Sequence, residues 1–111
     1  MSRDEKEIKI ERLLSNLGLC VRSGKMVFGV PMICEGMRKG GADAPKVVFR
    51  ASDTSENTSK KLSDKCEFYG VRLIIIDCDG ETLAKRLGKT GSLAAVALTD
   101  EKMLGMVERY I

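Results

Sequence analysis

Apolar residues recur on one helical face from the start of the chain. Ile10, Leu13, Leu14, Leu17, Cys20 and Val21 share that face and predict a first helix over about Glu5 to Arg22. Gly24 follows as its C-terminal cap. Met26-Val27-Phe28 reads as a very short strand, and Pro31 opens a second helix, where a missing N–H costs little. The inner face of that helix is predicted as Val30, Ile33, Cys34 and Met37, with Gly40-Gly41 as its stop. Lys46 to Ala51, rich in β-branched residues, predicts a strand. Ser55 is placed to cap a third helix, with Glu56 favourable at its positive dipole end. Leu62, Cys66 and Tyr69 are its predicted buried side, and Gly70 its end. Val71 to Ile76 is almost continuously apolar, which predicts a central strand covered on both faces. A fourth helix is predicted over Glu81 to Leu87 and a last strand over Leu93 to Leu98. Asp100 then caps a final helix bearing Met103, Leu104, Val107 and Tyr110.

Helices and strands alternate, and no linker, repeat or low-complexity segment interrupts them. The pattern predicts a single domain over residues 1–111 of the α/β class, a three-layer α/β/α sandwich around a small sheet. The later strands are expected to be largely parallel, joined by right-handed crossovers. A chain of 111 residues is long enough for a real core, and its 43% apolar and 32% charged residues fit an ordinary globular protein. The net charge of +3 is too small for histone-like coating of nucleic acid but permits a local basic face.

Composition removes several chemistries. The chain has no His, so imidazole catalysis and His metal ligands are excluded. It has no Trp, and only Phe28, Phe49, Phe68, Tyr69 and Tyr110 are aromatic, which argues against a base-stacking platform. Cys20, Cys34, Cys66 and Cys78 contain no Cys-x-x-Cys pair and are expected to be small buried hydrophobes rather than metal ligands. Met-Ser-Arg-Asp-Glu-Lys at the N-terminus lacks the apolar region of a signal peptide, and no run is long enough to span a membrane. A reduced, cytoplasmic protein is therefore expected, with no cofactor and no catalytic or metal-binding residue.

Two motifs could suggest otherwise. Ile74-Ile75-Ile76-Asp77-Cys78-Asp79-Gly80 resembles the strand and Asp-x-Asp-Gly opening of haloacid-dehalogenase-type phosphatases, in which the first Asp is a nucleophile and the second an acid/base beside magnesium. That motif opens a much larger domain than the chain left after Gly80 could build, and Glu81 breaks its usual continuation. The alternative is a strand-to-helix turn capped by Asp79 or Thr82. Gly88-Lys89-Thr90 looks like the end of a phosphate-binding loop but lacks the upstream glycine and the preceding strand.

The remaining signal is basic. Arg22 and Lys25 flank Gly24, Arg38 and Lys39 precede Gly40, and in sequence the two clusters bracket the start of the second helix at Gly29. A helix N-terminus beside mobile cations suits an anionic partner. The local alternative is that these are solvated charges, which helix C-termini favour in any case.

The chain as a whole resembles the L-seven-Ae / L-thirty-e superfamily of ribosomal and kink-turn RNA-binding proteins, and is most similar to its small bacterial members. The resemblance is carried by Leu17-Gly18-Leu19, Arg22-Ser23-Gly24-Lys25 with Gly29, and Arg38-Lys39-Gly40. It continues through Ala51 to Thr58, Asp64 to Val71, Leu83 to Gly88 and Ala95 to Asp100. It implies a four-stranded mixed sheet and structured RNA as partner: ribosomal RNA or another non-coding RNA, with ribosomal proteins nearby. It implies no membrane and no small-molecule substrate. In the family, RNA docks on the start of the second helix, often Gly-x-Asn-Glu-x-x-Lys, and on a loop after the fourth helix. The first site aligns with Gly29, Pro31, Met32 and Glu35, and the second with Lys85, Arg86 and Lys89. Pro31, Met32 and Glu35 depart from the family residues, so the resemblance implies kink-turn-like binding with altered specificity, phosphates being met by the cations. The alternatives are a protein-interaction module using Met26, Val27, Phe28, Pro31 and Met32, and a magnesium-dependent phosphatase using Asp77 and Asp79.

Overall fold

The first helix, α1 (Glu5–Arg22), is capped by Asp4, whose carboxylate accepts the Glu7 N–H at 2.8 Å. Glu5 and Glu7 sit at its positive end, and Leu13, Leu14, Leu17 and Cys20 form its buried stripe. This computed structural model describes residues 4–111; residues 1–3, the start of the segment read for a leader, lie outside them. Strand β1 (Met26–Phe28) leads directly into α2 (Val30–Lys39) through Gly29, whose φ of 86° is a conformation that side chains other than glycine's rarely adopt. Next come β2 (Val47–Ala51) and α3 (Glu56–Tyr69), the latter capped by Ser55. They are followed by β3 (Arg72–Ile76), α4 (Gly80–Arg86), β4 (Ala95–Leu98) and α5 (Glu101–Val107), with a short 3-10 turn at Glu108–Tyr110.

The four strands form one mixed sheet in the order β1-β4-β2-β3. Helices α1, α4 and α5 cover one face, where Leu13, Leu17, Leu83 and Val107 meet Phe49, Val96 and Leu98. Helices α2 and α3 cover the other, where Ile33, Met37, Leu62 and Cys66 meet Val48, Ala95 and Ala97. The alternation of Val47, Phe49 and Ala51 against Val48 is the period of a strand buried on both sides. The architecture is the expected three-layer α/β/α sandwich.

Strand directions differ from the sequence expectation. Only β2 and β3 are parallel; β4 is antiparallel to both β1 and β2. The cause is α4. Its seven residues span only about 10 Å, and the following loop folds back until the Leu93 N–H meets the Gly80 carbonyl at 3.0 Å. The chain therefore enters β4 at the end where it left β3, and no crossover forms.

Two further expectations are corrected. The β3 strand lies at the sheet edge rather than the centre, and Ile75 is 59% exposed. Tyr69 stands at the end of the α3 stripe and is exposed, whereas Leu62 and Cys66 are buried as expected. Cys20, Cys66 and Cys78 are buried, and burial raises each thiol pKa above its ordinary value; Cys34 is half-buried.

Candidate nucleic-acid interface

The topology sorts the predicted binding residues onto two ends of the sheet. Where β1, β2 and β3 finish and β4 begins, the Gly29 N–H donates to the Ala95 carbonyl at 3.0 Å and the Ser52 N–H to the Cys78 carbonyl at 2.9 Å. This end holds Gly29, Pro31 and Met32. At the opposite end, the Thr99 N–H meets the Lys25 carbonyl at 3.0 Å and the Lys46 N–H meets the Leu98 carbonyl at 2.7 Å. Strands β1 and β2 run the same way, so α2 must carry the chain back between them. Its C-terminal Arg38 and Lys39 therefore lie at the Lys25 end. The clusters Arg22/Gly24/Lys25 and Arg38/Lys39 do not bracket the start of α2 in space, as their place in sequence suggested. They lie across the sheet from it, a separation that three residues of β1 set at about 10 Å.

The start of α2 and the loop after α4 do come together. The Lys89 ammonium sits over the Phe28 ring, 4.2 Å from its centroid, one residue before Gly29. A cation held on an aromatic face is fixed without an opposing charge, so its field stays directed outward. No side chain caps α2, and its first turn contains neither an acid nor, at Pro31, an N–H. Pro31 is exposed, and so is Met32 at 61%. Lys85 is exposed in the last turn of α4.

Three of the predicted contacts, Arg86, Arg38 and Glu35, are already engaged within the chain. Arg86 donates to the Glu11 carboxylate at 2.8 Å and to Ser15 Oγ at 3.2 Å, tying α4 to α1. Arg38 forms a two-pronged pair with Glu35, which holds that carboxyl below its usual range. The negative charge at Glu35, unfavourable beside phosphate, is thus largely cancelled.

The loop's seat has no counterpart among the residues predicted from sequence. Gly80 is buried where Ser92 and Leu93 return, and its N–H donates to Asp53 Oδ1 at 2.9 Å. Thr54 Oγ1 reaches the Ala94 carbonyl at 3.1 Å. The available signal was a glycine opening a helix straight after a strand, a position at which a close backbone approach is expected.

The same turn accounts for the phosphatase-like motif. Asp79 Oδ1 accepts the Thr82 N–H at 2.7 Å and Oδ2 the Thr82 hydroxyl at 3.1 Å, the geometry of an N-cap. Asp77 is exposed and paired with Lys6 at 3.7 Å. Among the described residues no group of three or more His, Cys, Asp and Glu side chains could hold a metal ion. The Asp79 carboxyl is held below its ordinary value, first by the Thr82 N–H and then by the Thr82 hydroxyl. Its contribution to stability is present above the unfolded carboxylate pKa and is lost as pH falls through the lower folded value. Asn caps without titrating, so Asp79→Asn is expected to lose less thermal stability on acidification than the parent. Parallel melting curves from neutral to acid pH check this.

Two curated relatives are similar to this chain in sequence. The RNA-binding protein YlxQ of Bacillus subtilis (strain 168) is 34% identical over 85 residues, which covers 77% of this chain and 80% of the relative. The RNA-binding protein YlxQ of Enterococcus faecium is 33% identical over 79 residues, 71% of this chain and 73% of the relative. The chain belongs to the YlxQ family. No family model matches it. The fold recurs in a Bacillus halodurans C protein of unknown function, at TM-score 0.73 and 24% identity over 87% of this chain and 97% of that one. It recurs also in the Giardia lamblia 15.5kD RNA binding protein, at TM-score 0.67 and 15% identity over 100% of this chain and 94% of that one. These two likenesses concern the fold; neither YlxQ relative is named as an enzyme.

Proposed function

We propose that this chain is a non-catalytic RNA-binding protein that docks structured, kink-turn-like RNA with altered specificity on the edge formed by Gly29, Pro31, Met32, Lys85 and Lys89. The observation that carries the reading is the Lys89 ammonium fixed on Phe28 beside the uncapped start of α2. Membership of the YlxQ family supports it. Lys89, fixed on Phe28, and the exposed Lys85 meet phosphate, while Pro31 and Met32 offer shape and apolar contact in place of hydrogen bonds to base edges. Ribosomal RNA or another non-coding RNA, bound in the cytoplasm at or near the ribosome and its proteins, is the partner that the superfamily resemblance favours.

The test is an anisotropy titration of a labelled kink-turn RNA and an unkinked duplex of equal length, each at two salt concentrations. The parent is expected to prefer the kinked RNA. Exchanging Lys85→Gln and Lys89→Gln together removes two phosphate contacts and should reduce the salt slope by about 2. Lys25→Gln, across the sheet, should change it far less. An unchanged slope in the double variant places the RNA elsewhere on the protein.

The exposure of Met32 also favours a second reading, a protein partner seated on Pro31 and Met32. Met32→Ser that leaves RNA affinity intact but abolishes capture of a protein would establish it.

A further inference from the structure

The scarcity of aromatics in the sequence argues against base stacking, yet two of the five rings stand together on the solvent side of α3. The structure places Phe68 in the open, 80% exposed, with Tyr69 packed edge-on against it at 4.9 Å between centroids and 79° between planes. The two rings close one end of a shallow trough of about 680 Å³ along α3, whose walls include Lys60, Lys61 and Lys65. Lys60 is paired with Asp64 at 3.0 Å, whereas Lys61 and Lys65 have no ion pair among the described residues. Like charges one turn apart weaken a helix, and neither lysine is held in an ion pair among those residues.

We propose that this face is a second nucleic-acid contact, taking a single-stranded RNA segment with phosphates on Lys61 and Lys65 and a base stacked on Phe68. The two lysines lie about 6 Å apart along the helix, the scale of one nucleotide step in an extended strand. A ring that projects from a helix can stack on an unpaired base, whereas the bases of a duplex are already stacked on one another. A protein partner fits less well, because lysines are depleted from the centres of protein interfaces. The proposal rests on the RNA-binding reading above but uses different residues: Lys61, Lys65 and Phe68 lie along α3, whereas the edge combines the start of α2 with Lys85 in α4 and Lys89 after it.

The probe is a fluorescein-labelled octauridylate, titrated beside the kink-turn RNA. Phe68→Leu keeps the apolar volume without the π face and is expected to weaken octauridylate binding roughly tenfold, whereas Phe68→Trp retains it. Lys61→Gln with Lys65→Gln should flatten its salt dependence. All three positions are exposed, so folding is not at stake. Lys85→Gln with Lys89→Gln should weaken kink-turn binding and leave octauridylate binding in place, so unchanged kink-turn binding in that variant counts only against the edge. Equal octauridylate affinity in the parent and Phe68→Leu overturns the proposal. Stronger binding of a peptide of alternating Glu and Phe than of octauridylate also overturns it, in favour of a protein partner.

Discussion

Replacing Gly80 by alanine is expected to lower the melting temperature by roughly 10 °C, the consequence of about 2 kcal/mol of overpacking in a domain of this size. A Cβ at that position would lie 2.4 Å from Ser92 Oγ and 2.8 Å from the Leu93 carbonyl oxygen. The hydroxyl can rotate away; the carbonyl belongs to the backbone and moves only with the loop. Displacing it strains the Leu93 N–H bond to the Gly80 carbonyl and the Gly80 N–H bond to Asp53. Helix propensity acts in the opposite direction, since alanine is favoured over glycine by up to about 1 kcal/mol, so a net loss isolates the steric term. Gly105 supplies the contrast. It lies in α5, where a methyl group would meet nothing within 4 Å, and Gly105→Ala should stabilise by roughly 0.5–1 kcal/mol. Thermal and urea unfolding of the two variants measures both signs. A Gly80→Ala protein as stable as its parent would show that the 88–94 loop is not seated as described. Because that loop presents Lys89, the same variant should also bind structured RNA less tightly.

The elements were legible from sequence because their determinants are local. The bounds of α1 follow from its apolar stripe and from Gly24. Ser55, Asp79 and Asp100 cap the helices they precede, each accepting a backbone N–H. The strand order was not legible, because hydrophobic periodicity reports burial and not neighbours. Val71 to Ile76 has the composition of a central strand, yet it is an edge strand on which Leu73 and Ile74 are half-covered and Ile75 faces solvent. The site suffered from the same limit. Arg22 and Lys25 are close to Gly29 along the chain, and only the direction of β1 shows that they lie at the opposite end of the sheet. Conversely, Phe28 and Lys89 are distant in sequence, and nothing local announces that one ring will hold the other residue's ammonium. Arg86 could not be told from Lys85 without the partner on α1 that engages it. The exposure of Phe68 required knowing which face of α3 the sheet covers.

Introducing at the start of α2 the residues that the superfamily resemblance implies, with Pro31→Asn, Met32→Glu and Glu35→Lys together, is expected to raise kink-turn affinity at least tenfold. Specific hydrogen-bonded contacts to bases are typically worth about 1–3 kcal/mol each. The scaffold can accept all three. Position 31 regains an N–H in the first turn, where no intrahelical carbonyl would be waiting for it. Met32 is exposed, so a glutamate there is not desolvated, and α2 has no acid in its first turn to complement the dipole. Glu35→Lys breaks the pair with Arg38. That pair is exposed and contributes little stability, and its loss frees a second cation. Stability should therefore change little while affinity rises, and melting curves beside the anisotropy titration separate the two effects. A folded triple variant with no gain for kinked over unkinked RNA would count against the start of α2 as the proposed RNA site. The Phe68 face would then be the surface to follow, because its octauridylate titration depends on none of these positions.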